Sequence, residues 1–184
     1  DDNITAEITH CYEKGVKLKA DKGINLPDTR IASTSLTEKD ISDLKFVANH
    51  ADIVALSFVN TANDVEFLMQ HLQTLNESPP AILLKIETQT GVENLADILL
   101  HAMRWPSVGV MIARGDLAVE CGFERLAEVQ EEILWICEAA HIPVIWATQV
   151  LENLAKKGAP SRAEITDAAM GHRAECVMLN KGPH

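Results

Sequence analysis

The sequence is poor in the features that mark nucleic-acid-binding and membrane proteins. Its 184 residues include 16 Lys and Arg against 27 Asp and Glu, which gives a formal net charge of −11. A surface that binds nucleic acid neutralises phosphates with Lys and Arg, so this balance argues against such a partner. No run approaches the roughly 20 apolar residues of a membrane helix, and no segment has the pattern of a signal peptide. We therefore expect neither nucleic acid nor a membrane as a partner.

Cysteine is scarce as well. The four thiols are far apart in the sequence and none forms a C-x-x-C pair, which excludes a zinc knuckle and a redox motif of that kind. Cys137 and Cys176 lie in apolar runs, where a free cysteine is expected to be a small buried hydrophobe. This usage is typical of a reducing compartment, so we expect a cytoplasmic protein. The chain begins without Met, and we expect both of its ends to be cuts in a longer protein.

The first part of the chain has a β-like pattern. Residues 4–9 and 16–19 alternate apolar and polar side chains, and the turn residues 13–15 separate them. Alternation with a period of two on both sides of a turn predicts a β-hairpin. We interpret this segment as a remnant of a small all-β module.

From Ser35 onward, apolar runs of strand length alternate with helix-like spacing. Ser35 and Thr37 are suitable caps for a first helix, because acidic residues and helix-spaced apolar residues follow them. Strands are predicted at 52–59, 81–86, 108–113, 143–147 and 176–179. Further helices are predicted at 63–75, 92–103, 126–140, 149–156 and 162–170.

This alternation predicts an α/β fold. Short apolar strands between helices indicate βα units on a parallel sheet, with every strand covered on both faces. Five units in about 150 residues match roughly five-eighths of a (β/α)8 barrel of about 250 residues. A doubly wound Rossmann sheet is the alternative, but no G-x-G-x-x-G follows the first strand. We therefore predict a partial (β/α)8 TIM barrel of about five βα units with a short N-terminal β segment.

Polar side chains follow three of the predicted strands at the point where each strand ends. Lys85 and Glu87 point to the same side, because side chains alternate along a strand. Arg114 and Asp116 follow the next strand, and Thr148 follows the one after it. The carboxyl ends of parallel barrel strands are the face that carries active sites. The sequence therefore predicts a site at this edge of the sheet.

The residue types at these strand ends suggest two alternative roles. Glu87 and Asp116, from neighbouring strands, are oxygen donors suited to Mg²⁺ or Mn²⁺. Gly115 permits close approach to the backbone at a helix start, where anions are favoured, and Lys85 is suited to stabilise a phosphoryl group or an enolate. The alternative is that Lys85, Glu87 and Asp116 form structural salt bridges that cap the barrel.

Motifs spread over nearly the whole chain resemble the pyruvate kinase family. They read KGINLP at 22–27, LTEKD at 36–40, LKIE at 84–87, ARGDL at 113–117, ATQVLE at 147–152 and PSRAE at 160–164. The resemblance implies that residues 1–34 are the end of the β domain inserted into that family's barrel. It also implies that residues 35–184 are the C-terminal part of the barrel, units four to eight.

The resemblance implies a role for each matching residue. Lys85 matches the lysine that stabilises the transferring phosphoryl group, and Glu87 and Asp116 match the carboxylates that hold the divalent metal. Thr148 matches a threonine beside the substrate. The substrate-binding segment next to the substrate carboxylate corresponds to Ala113, Arg114, Gly115 and Asp116.

The implied activity is phosphoryl transfer between phosphoenolpyruvate and a nucleoside diphosphate such as ADP, assisted by Mg²⁺ or Mn²⁺. One motif departs from the family, since Asn180-Lys181-Gly182-Pro183 replaces its Ser-Gly-Glu-Thr. The first three barrel strands are absent, and with them a substrate-binding arginine and the family ligands of a monovalent cation such as K⁺. Two alternatives therefore stay open: a Mg²⁺-dependent aldolase or lyase acting on 2-oxo acids, and an inactive module derived from a pyruvate kinase.

Five strands cannot close a barrel, because closure requires the tilt and stagger of eight. The outer strands would then present unpaired backbone groups, which are sites for pairing with another chain. We expect the chain by itself to form a homo-oligomer or to aggregate, and to lack phosphoryl transfer.

Overall fold

The computed structural model describes residues 5–9, 11, 13–17, 20, 23–27, 29 and 35–184. Of the predicted hairpin, the turn is present, and Gly15 has a φ of +69°, which glycine adopts without a Cβ clash. The described residues 5–9 and 15–17 on either side of it are exposed and belong to no strand, whereas Ile4, Leu18 and Lys19 lie outside the described residues. An isolated two-stranded ribbon is marginally stable, which explains why the described residues do not form the predicted hairpin.

The regular elements of the described chain alternate between helix and strand, as the sequence predicts. The strands are β1 (Ile53–Leu56), β2 (Ala81–Ile86), β3 (Val108–Ala113), β4 (Val144–Val150) and β5 (Cys176–Leu179). The helices are α1 (Glu38–His50), α2 (Ala62–Leu75), α3 (Gln89–Glu93), α4 (Leu95–Ala102), α5 (Arg114–Glu120), α6 (Leu126–Ala139), α7 (Glu152–Lys157) and α8 (Arg162–Gly171).

Capping interactions set the helix starts that the sequence predicts. At α1 the Thr37 hydroxyl accepts the Asp40 N–H, and the Asp40 carboxylate accepts the Thr37 N–H at 2.8 Å. This reciprocal pair satisfies two N–H groups that a helix start leaves free. The predicted single helix 92–103 is instead two helices, α3 and α4, because the backbone leaves helical geometry at Asn94.

The five strands form one parallel sheet in the order β1-β2-β3-β4-β5. Each strand thus pairs with the strand that follows it along the chain. A doubly wound sheet reverses its strand order at a switch point, and this sheet has no reversal in the described residues. The sequential order is that of a (β/α)8 barrel, so the prediction of a partial barrel is confirmed.

The two faces of the sheet are packed to different degrees. On one face the residues Ile82, Leu84, Ile86, Val110, Ile112 and Trp146 are fully buried in the main core under the helices. The other face carries a small buried cluster of Leu83, Met111 and Ala147. Because side chains alternate along β2, Lys85 belongs to this second, sparsely packed face.

The edge strands depart from the prediction that every strand is covered on both faces. Ile53 in β1 is 58% exposed and Leu179 in β5 is 65% exposed. Each edge strand pairs with a single neighbour in the described chain, which leaves part of its apolar surface uncovered. For the same reason Cys176 is exposed, contrary to prediction, whereas Cys137 is buried as predicted. Burial raises the pKa of the Cys137 thiol to about 12.

Within the described residues, the helices are too short or too polar to cross a bilayer.

Candidate active site

The carboxyl ends of β2, β3 and β4 meet at one edge of the sheet. In the parallel register Ile86 pairs with Ile112, and Ala113 pairs with Ala147. The predicted residues near these strand ends are therefore neighbours: Lys85 and Thr148 lie within β2 and β4, and Glu87, Arg114 and Asp116 follow β2 and β3.

An ion pair at the end of β2 joins two of the predicted residues. Lys85 Nζ lies 2.9 Å from Glu87 Oε1 and donates a hydrogen bond to Ser57 Oγ at 3.0 Å. The second carboxylate oxygen of Glu87 accepts the backbone N–H of Phe58 at 2.6 Å. The Glu87 side chain is only 3% exposed, so this carboxylate is held by one cation and one N–H donor, as a buried charge requires.

The Lys85 ammonium keeps hydrogen-bonding capacity in this arrangement. Its side chain is 26% exposed, and two of its three N–H donors are used by Glu87 and Ser57. Within the described chain the third donor has no partner. This sparsely packed face of the sheet, which carries Leu83, Lys85 and Met111, is called the open face below. A lysine with a spare donor on it is suited to bind an anionic ligand.

A polar network fixes the loops that follow β1 and β2. Thr88 Oγ1 donates to Asn60 Oδ1 at 2.5 Å and accepts the N–H of Gly91 at 3.0 Å, while Asn94 Nδ2 donates to the Asn60 carbonyl at 2.9 Å. Gly91 is required here because a Cβ would collide with the carbonyl oxygen of Val59. These contacts hold the loop after β1 against the loop after β2, and so support the residues around the ion pair.

Asp116 differs from the two paired residues. It lies in the first turn of α5, directly after β3, and it is half-buried. No residue of the described chain donates a hydrogen bond to its carboxylate or forms an ion pair with it. The alternative of structural salt bridges therefore describes Lys85 and Glu87 but does not account for Asp116.

The side chain of Arg114 is directed into the protein. Its Nε donates to the carbonyl of Ala147 at 2.9 Å, its Nη2 donates to the carbonyl of Thr148, and its Nη1 pairs with the carboxylate of Asp167. The guanidinium lies 4.5 Å from the ring centre of Trp146, which is close enough for a cation–π contact. With these partners, the part of Arg114 that remains available to a ligand is its backbone.

Thr148 lies against the start of α5. A Cβ placed on Gly115 would be 3.2 Å from Thr148 Oγ1, tighter than an ordinary van der Waals contact. The glycine therefore lets the ends of β3 and β4 approach each other. Thr148 itself is half-buried, so its hydroxyl is near the surface of the site.

A cavity of about 1450 Å³ lies beside these strand ends. The loops after β1, β2 and β3 contribute Ser57, Asn60, Thr88 and Asp116 to its lining, and the described residues 23–27 close another side. Across it Asn25 Nδ2 donates to Glu120 Oε1 at 3.2 Å. Asp116 is thus accessible from the cavity, whereas Lys85, Glu87 and Thr148 are not among the described residues that line it.

The donor set of the site suits a cation that takes few protein ligands. The described residues contain no cluster of three or more His, Cys, Asp or Glu side chains that could hold a metal ion. Mg²⁺ is commonly bound by one or two carboxylates, with water and substrate oxygens as its other ligands. Glu87 and Asp116 satisfy that requirement in number and in chemistry, whereas a Zn²⁺ site of three or four side chains is not available among these residues.

Glu164 joins the two helices that follow β4. Its carboxylate accepts the N–H groups of Ser161, at 2.7 Å, and of Asn153, and so connects the start of α8 with α7. The hydrogen bonds from Ser161 and Asn153 lower the pKa of Glu164 to about 2.

The segment after β5, where the sequence departs from the motif noted above, runs along α7. The N–H of Asn180 donates to the carbonyl of Val150 at 3.3 Å, and Gly182 lies against the carbonyl of Ala155. Lys181 is exposed.

Ser57 and Asp167 were not predicted from the sequence. Ser57 directly follows β1, so its position at a strand end is the same signal that marks Lys85 and Thr148. Asp167 lies within α8, and its pairing with Arg114 depends on how that helix packs on β4. No local sequence signal marks such a contact.

The chain is similar to a family of known proteins over almost its whole length. Residues 2–182 match the family model described as the pyruvate kinase barrel domain. A curated protein named pyruvate kinase from Candida albicans is 40% identical over 169 residues, which cover 89% of this chain and 32% of that protein.

Two further relatives give the same result. Pyruvate kinase 1 of Saccharomyces cerevisiae is 40% identical and pyruvate kinase of Dictyostelium discoideum is 39% identical, each over 167 residues. Both alignments cover 89% of this chain and 32% of the relative. The chain thus spans about a third of the length of the curated relatives it matches.

Proposed function

We propose that this chain, which belongs to the pyruvate kinase family, carries part of a site that transfers a phosphoryl group between phosphoenolpyruvate and ADP. The proposal rests chiefly on the Lys85–Glu87 ion pair at the end of β2, with the unpaired carboxylate of Asp116 at the neighbouring strand end. A cation with a spare donor beside two carboxylates provides charges for both an anionic substrate and a divalent metal.

Lys85 stabilises the transferring phosphoryl group in this proposal. Glu87 and Ser57 hold its ammonium at a fixed point on the open face of the sheet. A donor held in place before the reaction stabilises developing charge without reorganisation at the moment of transfer. The fully buried neighbours Leu84 and Ile86 anchor the strand on its other face.

Glu87 and Asp116 would hold Mg²⁺ or Mn²⁺. When bound, such an ion neutralises negative charge on the phosphoryl oxygens. The Phe58 N–H and the Lys85 ammonium orient the Glu87 carboxylate, while Asp116 is accessible from the cavity.

The backbone at Ala113, Arg114 and Gly115 would bind the substrate carboxylate. Two local features support this role. Helix α5 begins directly after β3, and Gly115 has no side chain to cover the backbone. Thr148 Oγ1, beside Gly115, would contact the substrate from the end of β4.

A coupled assay of the intact protein tests the proposal. Phosphoenolpyruvate, ADP and Mg²⁺ are supplied and pyruvate is measured, with EDTA as the metal-free control. We expect pyruvate only in the presence of the divalent ion. If no pyruvate forms with any nucleoside diphosphate, the proposed function is wrong.

The same preparation tests the second enzymatic alternative, an aldolase or lyase that stabilises an enolate. The altered Asn180–Pro183 segment is the observation that keeps this alternative open. Such an enzyme would exchange the methyl protons of pyruvate for deuterium without nucleotide, and it would cleave or form a carbon–carbon bond of a 2-oxo acid. An inactive module would do neither.

A further inference from the structure

The contacts of Arg114 are not explained by substrate binding. The side chain is 9% exposed, and it reaches two backbone carbonyls, one carboxylate and the face of an indole ring. A guanidinium with this many directed contacts fixes the groups around it, because its planar donors allow only one arrangement. The role of Arg114 therefore depends on which groups its guanidinium holds in place.

Two of the contacts are consecutive carbonyls within the second half of β4, where its pairing with β5 is irregular. Arg114 Nε binds the Ala147 oxygen and Nη2 binds the Thr148 oxygen. Beyond this point the chain is irregular, since Gln149 and Leu151 both have left-handed φ values of 55° and 52°. Such values are unusual for side chains other than glycine, so this segment depends on surrounding contacts for its conformation.

The same two carbonyls flank the Thr148 side chain, whose hydroxyl lies next to Gly115. Arg114 and Gly115 are adjacent in the chain, so one short segment both holds the Thr148 backbone and lies beside its hydroxyl. Asp167 on α8 completes the arrangement, because it pairs with the same guanidinium and keeps it from turning away.

We propose that the Arg114 side chain has a positioning role: it does not touch the substrate but fixes the Thr148 hydroxyl relative to the start of α5. The reaction it serves is the phosphoryl transfer proposed above, and the inference rests on that function for its kinetic test. Asp167 orients Arg114, and α8 is thereby connected to the site.

A double-mutant cycle tests this role in the intact protein. Arg114→Lys keeps the charge and can still pair with Asp167, but a single ammonium cannot reproduce the fork that binds both carbonyls. Thr148→Val removes the hydroxyl with little change of shape. Arg104→Lys is the matched control, because Arg104 forms an exposed pair with Glu66 away from the site.

We expect R114K to lower kcat about 10- to 100-fold, as loss of a supporting contact does, while KM for phosphoenolpyruvate changes less than about 3-fold. In the T148V background the same substitution should cost no more than about 2-fold, because the group that Arg114 positions is already gone. The control R104K should leave both parameters unchanged.

Two kinetic results would overturn the inference. Fold-losses that multiply in the double variant would show that Arg114 acts independently of Thr148. A raised KM with unchanged kcat would show direct contact with the substrate.

Hydrogen exchange over residues 144–152 separates this inference from the proposed function. R114K should increase exchange in that segment, and R104K should not. If the wild-type protein makes no pyruvate, only the proposed function fails, and the exchange result still decides whether Arg114 holds the segment. Unchanged exchange in R114K would contradict that role.

Discussion

The two faces of the sheet each hold a strand-end cation in a different way. On the helix-covered face, Arg114 is enclosed by Trp146, two carbonyls and Asp167. On the sparsely packed face, Lys85 has one carboxylate and one hydroxyl as partners and keeps a spare donor within the described chain. Both cations belong to ion pairs, yet only Lys85 retains the exposure that a ligand needs.

The comparison shows that an ion pair alone does not distinguish a structural cation from a functional one. What differs is the number of directed contacts and the side of the sheet on which they lie. A cation whose contacts are all internal stabilises or positions, and one that is partly exposed and keeps a free donor can bind a ligand. Variants on the open face should therefore change activity with little change in stability, whereas variants of Arg114 on the packed face should also lower stability.

The largest effect is expected for Asp116→Ala on the open face. The variant should abolish metal-dependent activity, because it removes one of two proposed metal ligands. The free energy of unfolding should change by less than about 0.5 kcal/mol, since Asp116 has no partner among the described residues. Activity is measured by pyruvate formation and stability by urea unfolding of the intact protein. Asp97→Ala, an exposed aspartate of α4, is the control, and near-normal activity of D116A would contradict the assignment.

A second large effect is expected when the 184-residue chain is studied alone. Its edge strands β1 and β5 leave apolar residues such as Ile53 and Leu179 exposed. We expect light scattering to detect dimers or larger species, and we expect no phosphoryl transfer. A stable monomer that forms pyruvate would contradict this prediction. It would show that the exposed edge strands neither cause association nor prevent activity.

A moderate effect is expected for Arg114→Met on the packed face. The change leaves Asp167 and two carbonyls without their donor, at a cost of about 2–3 kcal/mol in unfolding free energy. That figure is below the full cost of breaking a buried pair, because the Asp167 side chain is 27% exposed. Arg104→Met in an exposed pair should cost at most about 1 kcal/mol in the same urea experiment. Equal losses in the two variants would contradict the distinction between the faces.

The smallest effect concerns Glu164, at the start of α8 on the packed side. Its folded-state pKa of about 2 lies below the ordinary value of 4.5, so its hydrogen bonds stabilise the fold above about pH 4.5. This contribution is lost as the pH falls towards 2. The difference in unfolding free energy between wild type and Glu164→Gln should therefore be larger at pH 6 than at pH 3.

Ser161→Ala is the matched control for Glu164, because it removes the capping hydroxyl but keeps the N–H that the carboxylate accepts. The S161A variant should retain the dependence on pH. If the difference in unfolding free energy between wild type and E164Q is the same at pH 6 and pH 3, the hydrogen bonds do not lower the pKa of Glu164.

Sequence patterns predict three of the five strands without error. The bounds of β2, β3 and β5 agree with the prediction residue for residue, because each is an apolar run with a sharp polar end. The first strand is shorter than predicted, since the backbone turns into a left-handed conformation at Phe58. The fourth extends to Val150, because its pairing with β5 resumes there. These differences depend on neighbours in space that the local pattern does not contain.

Part of the candidate site was also predictable from the local sequence pattern. The alternation of side chains places Lys85 and Glu87 on one face, and the structure pairs them. The network of Asn60, Thr88 and Asn94 was not predictable, because its members come from separate loops. The roles of Lys85, Glu87, Asp116 and the other site residues in catalysis stay predictions.

The central claim, that Lys85 acts on the substrate while two carboxylates hold the metal, is tested most directly by Lys85→Met in the intact protein. We measure kcat for pyruvate formation together with Mn²⁺ binding by electron paramagnetic resonance, and Lys39→Met is the control for an exposed lysine of α1. The account predicts that kcat of K85M falls at least about 100-fold while Mn²⁺ still binds, because Lys85 is not a metal ligand. A K85M protein that binds Mn²⁺ and forms pyruvate at the rate of K39M would contradict the claim.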